Sequence, residues 1–330
     1  MSPGFPLDPV LAGTAGARVP WRRVPAAVRA SIEDHLGTPV VGAHSQEAGF
    51  SPALAARLVL ADERRVFVKG IGPDSLSGAP GGQDSYRREA RISAALPTSV
   101  PAPALIETWE AGGWVILCFQ DIEGTNPALP WEDDELLRVL EALTVTSAAL
   151  TPSPIEAPAA TTPGGSNHWR QLASQPQSIA LLPGLDDWVQ DNIDLLSELE
   201  ASSETAAAGD TLAHCDLRAD NIVLNRRDVF FVDWPHARIG APWLDLAYFL
   251  PSVAMQGGPL PDEVFWRHPL ARFAKPQDVS SVLAGLAGFM VHDATQPPPP
   301  GIPTLRRFQL AQGQQAVRWL REMTNGGRSS

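Results

Sequence analysis

The sequence predicts an α+β fold of two lobes: a smaller N-terminal lobe built on an antiparallel sheet with one main helix, and a larger, mostly helical C-terminal lobe. Before residue 121, short apolar runs bounded by turn residues alternate and enclose one long helical segment. After residue 121, helical segments dominate and the β-like runs are short. With 330 residues, 44% of them hydrophobic, the chain is long enough for one large two-lobed domain.

The N-terminal lobe is expected to follow the order β-β-β-α-β-β after an opening helix. The opening helix, Val24–Leu36, should end at Gly37. The main helix, Asp84–Leu96, follows a loop rich in Gly, Pro and Ser and is stopped by Pro97. The predicted strands are Val40–Glu47, Leu54–Leu60, Arg65–Lys69, Ala104–Trp109 and Trp114–Gln120.

The C-terminal lobe is expected to arrange helices around one short hairpin. Two β-like runs, Ile222–Leu224 and Val229–Val232, are separated by the turn residues Asn225–Asp228. The predicted helices are Asp133–Leu150, Asn167–Ser174, Leu185–Glu200 and Gln309–Met323.

Charge and cysteine content narrow the class of protein. A net charge of −12 repels a phosphate backbone, so nucleic acid is not an expected partner, whereas a cationic small molecule is compatible. The two cysteines, Cys118 and Cys215, lie in apolar runs and do not form a disulfide framework, which favours a reducing cytoplasm. No run of 18 apolar residues and no signal-peptide pattern occurs, so we expect no membrane association. A monomer or a homodimer is expected.

One stretch of sequence concentrates the polar residues that carry chemistry. Asp216 precedes a tight polar loop, Asn221 closes that loop before a strand, and Asp233 ends the strand that returns from the hairpin. Carboxylate and carboxamide oxygens suit Mg²⁺, and a carboxylate is left to orient an attacking hydroxyl. Each residue alone would more often be a turn residue. The ordered pattern H-x-D-x-x-x-x-N, followed by apolar-Asp-Trp, instead indicates phosphoryl transfer.

These motifs resemble the aminoglycoside phosphotransferase family, a group within the protein-kinase-like fold that includes choline, homoserine and antibiotic kinases. A further acid, Asp245, follows a Gly-containing turn as it does in that family. The resemblance implies that Asp216 is the catalytic base and that Asn221 and Asp233 bind Mg²⁺. It also implies that His214 and Asp245 support the catalytic loop structurally.

The same resemblance assigns roles to the first half of the chain. Lys69, at a strand end, is expected to hold the ATP phosphates, and Glu89, on the following helix, is expected to orient it. The implied division is a flexible lead-in (1–20), an N-terminal nucleotide-binding lobe (21–121) and a C-terminal catalytic and substrate lobe (122–330).

Two further parts of the nucleotide site are predicted from position. Gly49 and Ser51, between the first two strands, are the candidates for a phosphate-binding loop. Backbone groups of Phe119 and Gln120, at the junction between the lobes, are expected to meet the adenine.

The catalytic loop departs from the family pattern at two positions. Cys215 replaces the usual glycine, and since one small residue replaces another we expect little effect. Arg218 could contact the transferring phosphate bidentately, or it could form an ion pair with Asp220; both interpretations stay open.

The acceptor substrate is the part of the predicted function that the sequence specifies least. Acidic clusters could face a cationic ligand, but we favour their interpretation as helix starts that complement the macrodipole. Four aromatic residues follow the catalytic region, where related folds build an acceptor pocket, and core packing is favoured for most of them. The clusters are residues 132–135, 186–187 and 262–263, and the aromatic residues are Trp243, Tyr248, Phe249 and Trp266.

The sequence therefore predicts an ATP- and Mg²⁺-dependent transferase that phosphorylates a hydroxyl or amine of a small molecule. Aminoglycosides, other antibiotics, amino sugars and amino alcohols are the acceptors considered, with antibiotic resistance as one role. A non-catalytic nucleotide-binding module is the main alternative. A protein kinase is less favoured, because Asp-Phe-Gly and Ala-Pro-Glu motifs are missing and the interval 233–245 is short for an activation loop.

Overall fold

A five-stranded antiparallel sheet forms the N-terminal lobe in the computed structural model, which describes residues 18–46, 53–73, 82–180, 182–185, 187–300 and 302–326. The strand order is β1-β2-β3-β5-β4, with every neighbouring pair antiparallel. The predicted strands are confirmed with ends shifted by two residues or fewer. They are β1 (Val40–Ser45), β2 (Leu54–Leu60), β3 (Arg65–Ile71), β4 (Leu105–Ala111) and β5 (Trp114–Gln120).

Helices cover both faces of this sheet. Helix α1 (Ala26–Leu36) packs Val28 and Ile32 against one face, and Gly37 ends it in the left-handed conformation at φ 73°. Helix α2 (Gln83–Ala95) packs Tyr86 against the other face. The sequence indicated one helix across the sheet; the structure shows that the opening helix covers the opposite side.

The C-terminal lobe contains ten helices and two small ladders within the described residues. The predicted helix over 185–200 is in fact two helices, which meet at Asn192. The helices are α3 (Asp133–Ala149), α4 (His168–Ala173), α5 (Pro176–Ala180), α6 (Asp187–Asp191), α7 (Ile193–Ala201), α8 (Ser203–Ala206), α9 (Leu244–Met255), α10 (Pro261–Phe265), α11 (Pro276–Ala294) and α12 (Leu305–Gly326). Over the part of the chain that the structure describes, no helix combines the length and apolarity that a membrane span requires.

The two ladders position the polar segments. Strands β6 (Thr211–Ala213) and β9 (Arg238–Gly240) pair, as do β7 (Ile222–Leu224) and β8 (Val229–Phe231). The loop from 214 to 221 therefore runs between β6 and β7, and Asp233 follows β8. The Val232 amide donates to the Asn221 carbonyl at 3.0 Å, which fastens the two segments side by side.

The connection between the lobes packs closely on the β7–β8 hairpin. Thr125 and Leu224 exchange two backbone hydrogen bonds, at 2.9 and 2.7 Å. A Cβ at Gly124 would lie 2.4 Å from the Leu224 carbonyl oxygen, so only glycine permits this approach.

Candidate active site

A cleft of about 880 Å³ lies between the lobes. Most of the predicted site residues that the structure describes line it, whereas His214 and Asp245 lie behind its wall. Gly49 and Ser51 fall outside the described residues, so the phosphate-loop prediction stays a prediction. The lining includes Lys69, Glu89, Phe119, Gln120, Asp216, Arg218, Asn221 and Asp233.

A lysine ammonium joins the two lobes inside the cleft. Lys69 Nζ lies 2.6 Å from Glu89 Oε2 on α2 and 2.7 Å from Asp233 Oδ1 in the C-terminal lobe. Burial alone would lower the pKa of Lys69, but the Asp233 and Glu89 carboxylates outweigh it and raise that pKa. The lysine is therefore a fixed positive charge. The predicted pairing of Lys69 with Glu89 is present, and a contact that the sequence did not indicate ties it to Asp233.

The backbone at Asp233 occupies an unusual conformation. Its φ is 70°, in the left-handed region, which is uncommon for a residue other than glycine. Burial opposes its ionisation, yet the Lys69 ammonium outweighs burial and lowers the pKa of this carboxyl. Strained backbone of this kind persists where the surroundings over-determine it, often at functional sites.

Asp216 is held on both sides by its own loop. Its Oδ1 accepts a short hydrogen bond from Arg218 Nη1, and its Oδ2 accepts one from Asn221 Nδ2 at 3.2 Å. The same Asn221 amide donates to the Asp216 carbonyl at 2.7 Å, which leaves the Asn221 Oδ1 free of this network. Burial raises the pKa of Asp216, although the Arg218 guanidinium opposes the rise.

Arg218 bridges two carboxylates. It makes two hydrogen bonds with Asp220, at 3.0 and 3.1 Å, besides its bond to Asp216. The interpretation of Arg218 as an ion-pair partner of Asp220 is therefore present in this structure. Arg218 also lines the cleft, so its contact with a transferring phosphate stays a prediction.

Asp245 anchors the start of the loop from behind. Its two carboxylate oxygens accept from the backbone amides of His214 at 2.8 Å and Cys215 at 2.7 Å. Burial raises the pKa of Asp245 to about 6, although these two amides favour the ionised form. Asp245 therefore holds the first two residues of the loop, and its role as an anchor for catalysis stays a prediction.

His214 has a defined tautomer. Its Nε2 lies 2.9 Å from the Val232 carbonyl and must donate, so Nδ1 is left to accept from the Asp216 amide at 3.3 Å. If Nδ1 were protonated as well, its proton would point at the N–H of Asp216, and two donors would face each other. Burial lowers the pKa of His214 to about 4, so the ring is neutral at pH 7; its structural role in the site stays a prediction.

The expectation for Cys215 needs a correction. The residue has φ 62°, a conformation that glycine adopts freely and that costs other residues about 1 kcal/mol or more. The usual glycine at this position therefore supplies backbone freedom as well as small size. A comparison of side-chain size alone does not contain this effect.

At the junction between the lobes, the structure differs from the prediction for the backbone amide of Gln120. The Gln120 amide donates to the Ala104 carbonyl at 2.9 Å, so it is already committed and does not face a ligand. Ile122, two residues further on, lines the cleft. Phe67, which sequence reasoning missed, also lines it: it lies two residues before Lys69, and alternation along β3 places both side chains on one face.

The acidic clusters have the structural role that we favoured. Asp133, Asp134 and Glu135 lie in the first turn of α3, and Asp262 and Glu263 in that of α10. None of the described cluster residues lines the cleft. Of the four aromatic residues, Trp243 and Phe249 are core residues and Trp266 is partly exposed, whereas Tyr248 lines the cleft.

The donors present fit a magnesium ion carried by a nucleotide. Over the described residues, no group of three or more His, Cys, Asp or Glu side chains could hold a metal alone. Mg²⁺ usually binds through one or two protein groups together with phosphate oxygens and water. The Asn221 carboxamide oxygen and the Asp233 carboxylate form such a set.

The phosphotransferase enzyme family model matches residues 54–279, which is more than half of the chain. No curated protein matches the sequence. Among solved structures, the chain is similar to a thermostable mutant of aminoglycoside phosphotransferase APH(4)-Ia in ternary complex with AMP-PNP and hygromycin B. The TM-score is 0.57 at 13% identity, covering 93% of this chain and 100% of that chain.

Two other structures show the same similarity. A choline/ethanolamine kinase family protein from Mesorhizobium loti aligns with a TM-score of 0.59 at 13% identity, covering 90% of this chain and 97% of the other. An aminoglycoside-3'-phosphotransferase of type VIII aligns with a TM-score of 0.51 at 20% identity, covering 80% and 97%. These alignments confirm the predicted two-lobed, protein-kinase-like fold.

Proposed function

Because the chain belongs to the phosphotransferase enzyme family, we propose that it transfers the γ-phosphoryl group of ATP, with Mg²⁺, to a hydroxyl or amine of a small molecule. The observation that carries this proposal is the arrangement across the cleft. Lys69 is held there by Glu89 and Asp233, and Asp216 is fixed by Arg218 and Asn221.

In this proposal the N-terminal lobe binds the nucleotide. The Phe67 ring would cover the adenine, whose polar edge would meet the chain near Ile122. The Lys69 ammonium would hold phosphate oxygens, and Glu89 keeps it in place. Asn221 and Asp233 would hold Mg²⁺, which when bound neutralises phosphate charge.

The Asp216 carboxylate would orient the acceptor and take its proton. The acceptor oxygen forms a bond to the γ-phosphorus while the bond from that phosphorus to the bridging oxygen breaks. ADP leaves with the bonding electron pair, and the hydroxyl proton passes to Asp216. Arg218, already bonded to Asp216, would exchange part of its pairing with Asp220 for the transferring phosphate. Positioning and charge neutralisation would supply most of the rate.

A non-catalytic nucleotide-binding module is the alternative. Such a module needs no carboxylate in the position of Asp216. The intact set of Lys69, Asp216, Asn221 and Asp233 therefore favours the enzyme.

The test is a screen of acceptors with purified protein, ATP and Mg²⁺. Aminoglycosides, other antibiotics, amino sugars, amino alcohols and uncharged alcohols are incubated separately, and ADP release and phosphorylated product are measured. The proposal expects product for at least one acceptor, lost on adding EDTA. ATP binding without product for any acceptor would favour the non-catalytic module.

A further inference from the structure

We propose that the acceptor is an uncharged alcohol with an apolar body, held by a mainly apolar wall from α9, α11 and α12 and by a hydrogen bond to Gln312. This inference rests on the proposed function, since it names the acceptor class of the same site. It excludes polycations such as hygromycin B as the preferred acceptor.

The wall of the cleft away from Lys69 is mainly apolar. It is contributed by one residue of α9, by the second half of α11, by the segment before α12 and by the first two turns of α12. Its apolar members include Leu286, Phe289, Met290, Ile302 and Phe308. A surface of this kind gains binding energy from covering apolar groups, whereas a polycation would be desolvated against it.

The charges that line the cleft cancel. Although the whole chain carries −12, the described lining contains equal numbers of acids and bases. The acids are Glu89, Asp121, Asp216, Asp220, Asp233 and Asp293, and the bases are Arg18, Arg57, Lys69, Arg218, Arg238 and Arg306. Taken as a whole, the cleft therefore has no excess of carboxylates that would favour a polycation.

Among the described residues of the apolar wall, the two charged side chains neutralise each other. Arg306 Nη1 donates to Asp293 Oδ2 at 2.8 Å and to Gln309 Oε1 at the same distance. Asp293 also accepts from Gln309 at 3.2 Å. The charge of this carboxylate is therefore already compensated by the Arg306 guanidinium.

One polar group of the wall lacks a partner. Gln312 is 3% exposed, lines the cleft, and its Oε1 has no hydrogen-bond donor among the described residues. A buried carbonyl oxygen without a donor costs about 1–3 kcal/mol, so a ligand that donates to it is favoured. The Tyr248 hydroxyl, on the same wall, makes no hydrogen bond to the described part of the chain either, and the Gln312 amide reaches the Tyr248 carbonyl at 3.5 Å.

The apolar wall reaches the catalytic loop. The Arg218 guanidinium carbon lies 5.6 Å from the centre of the Phe308 ring, and Arg218 is bonded directly to Asp216. Gln312 follows Phe308 by one helical turn on α12, so both face the same side. An acceptor whose hydroxyl lies at Asp216 would therefore extend its body along this wall.

Binding without nucleotide tests this inference separately from phosphoryl transfer. Matched uncharged glycosides that differ only in the apolar group are titrated calorimetrically into the full chain: phenethyl and methyl β-glucoside, phenethyl and methyl β-galactoside, and phenethyl and methyl β-xyloside. Hygromycin B is titrated alongside. In at least one pair the phenethyl member should bind about tenfold or more tightly than the methyl member, and all phenethyl members more tightly than hygromycin B.

Equal affinity within every pair, or tighter binding of hygromycin B, would overturn the acceptor class. If the preference is found but no acceptor is phosphorylated, only the proposed function fails. Conversely, phosphorylation of polycations alone would leave the proposed function standing and refute the acceptor class.

Two variants assign the preference to this wall. Gln312→Met should weaken the tightest phenethyl glycoside about fivefold, whereas Gln277→Met, an exposed glutamine at the start of α11, should not. Met290→Gln keeps the length of the side chain and adds a polar group. It should reduce the ratio between the affinities of the phenethyl and the methyl glycoside of that pair. Circular dichroism checks that the variants are folded. The assignment to this wall would be contradicted if folded Gln312→Met kept its affinity and folded Met290→Gln kept its affinity ratio.

Discussion

Replacing Asp245 tests whether the catalytic loop is held from behind. In Asp245→Ala, the amides of His214 and Cys215 would lose their acceptors, which lie at 2.8 and 2.7 Å, and stay buried. Each unsatisfied amide costs about 1–3 kcal/mol, for a total of about 2–6 kcal/mol. Removing a buried carboxylate, whose pKa is raised to about 6, relieves part of that cost. We therefore expect a loss in the lower half of that range, about 3 kcal/mol, in the free energy of unfolding.

Asp245→Asn refines the test because it keeps one oxygen. That oxygen can still accept, while the new amide group confronts the second backbone N–H, so the expected loss is about 1–2 kcal/mol. Urea denaturation followed by tryptophan fluorescence measures both variants, with Asp194→Asn, an exposed acid of α7, as the control. Losses below about 0.5 kcal/mol in both variants, with normal activity, would refute the anchoring role.

Three further predictions follow from single residues. Cys215→Gly should be more stable than Cys215→Ala by about 1 kcal/mol in urea denaturation, since only glycine relieves φ 62°; equal stability would contradict this reasoning. His214 is neutral when buried and its pKa is lowered from 6.5 to about 4, so the unfolded chain binds the proton first as the pH falls. Stability should therefore be full above pH 6.5 and fall by about 3 kcal/mol towards pH 4, with this contribution missing in His214→Gln. Phe67→Ala should weaken ATP binding about fivefold to tenfold in calorimetric titration, whereas Phe273→Ala, an exposed phenylalanine, should leave it unchanged.

The meeting of Asp216 and Asn221 within one loop could be predicted from the sequence, because the pattern that indicates it is local. Asp216, Asn221 and Asp233 lie in one short stretch whose spacing constrains where a carboxamide and two carboxylates can meet. Lys69 and Glu89 could be predicted only from their place relative to that stretch. The contact between Lys69 and Asp233 joins residues 164 positions apart, and no local pattern indicates it.

Backbone conformation and strand pairing account for other features of the structure that the sequence does not indicate. Nothing in the residue types shows that Cys215 and Asp233 have positive φ, since neither is glycine. Strand pairing with the segment before β4 commits the Gln120 amide, an effect of tertiary structure that a single-strand pattern does not contain.

The sequence does not indicate the apolar wall of the cleft. Its residues on α9, α11 and α12 have an ordinary helical pattern of apolar residues, which is equally typical of a helix buried in a core. Only the packing of these helices beside the cleft separates lining residues such as Phe289 from core residues such as Phe249.

Transfer of the γ-phosphoryl group by wild type and Asp216→Asn tests the central claim most directly. The measurement follows phosphorylated product from the best acceptor at saturating ATP and Mg²⁺, with Asp194→Asn as the matched control. Asp216→Asn should lower kcat by about 10²-fold or more and change the Kd for ATP little, because it removes the proton acceptor and keeps the side-chain shape. A kcat within about threefold of wild type would contradict the assignment of Asp216 as the catalytic base.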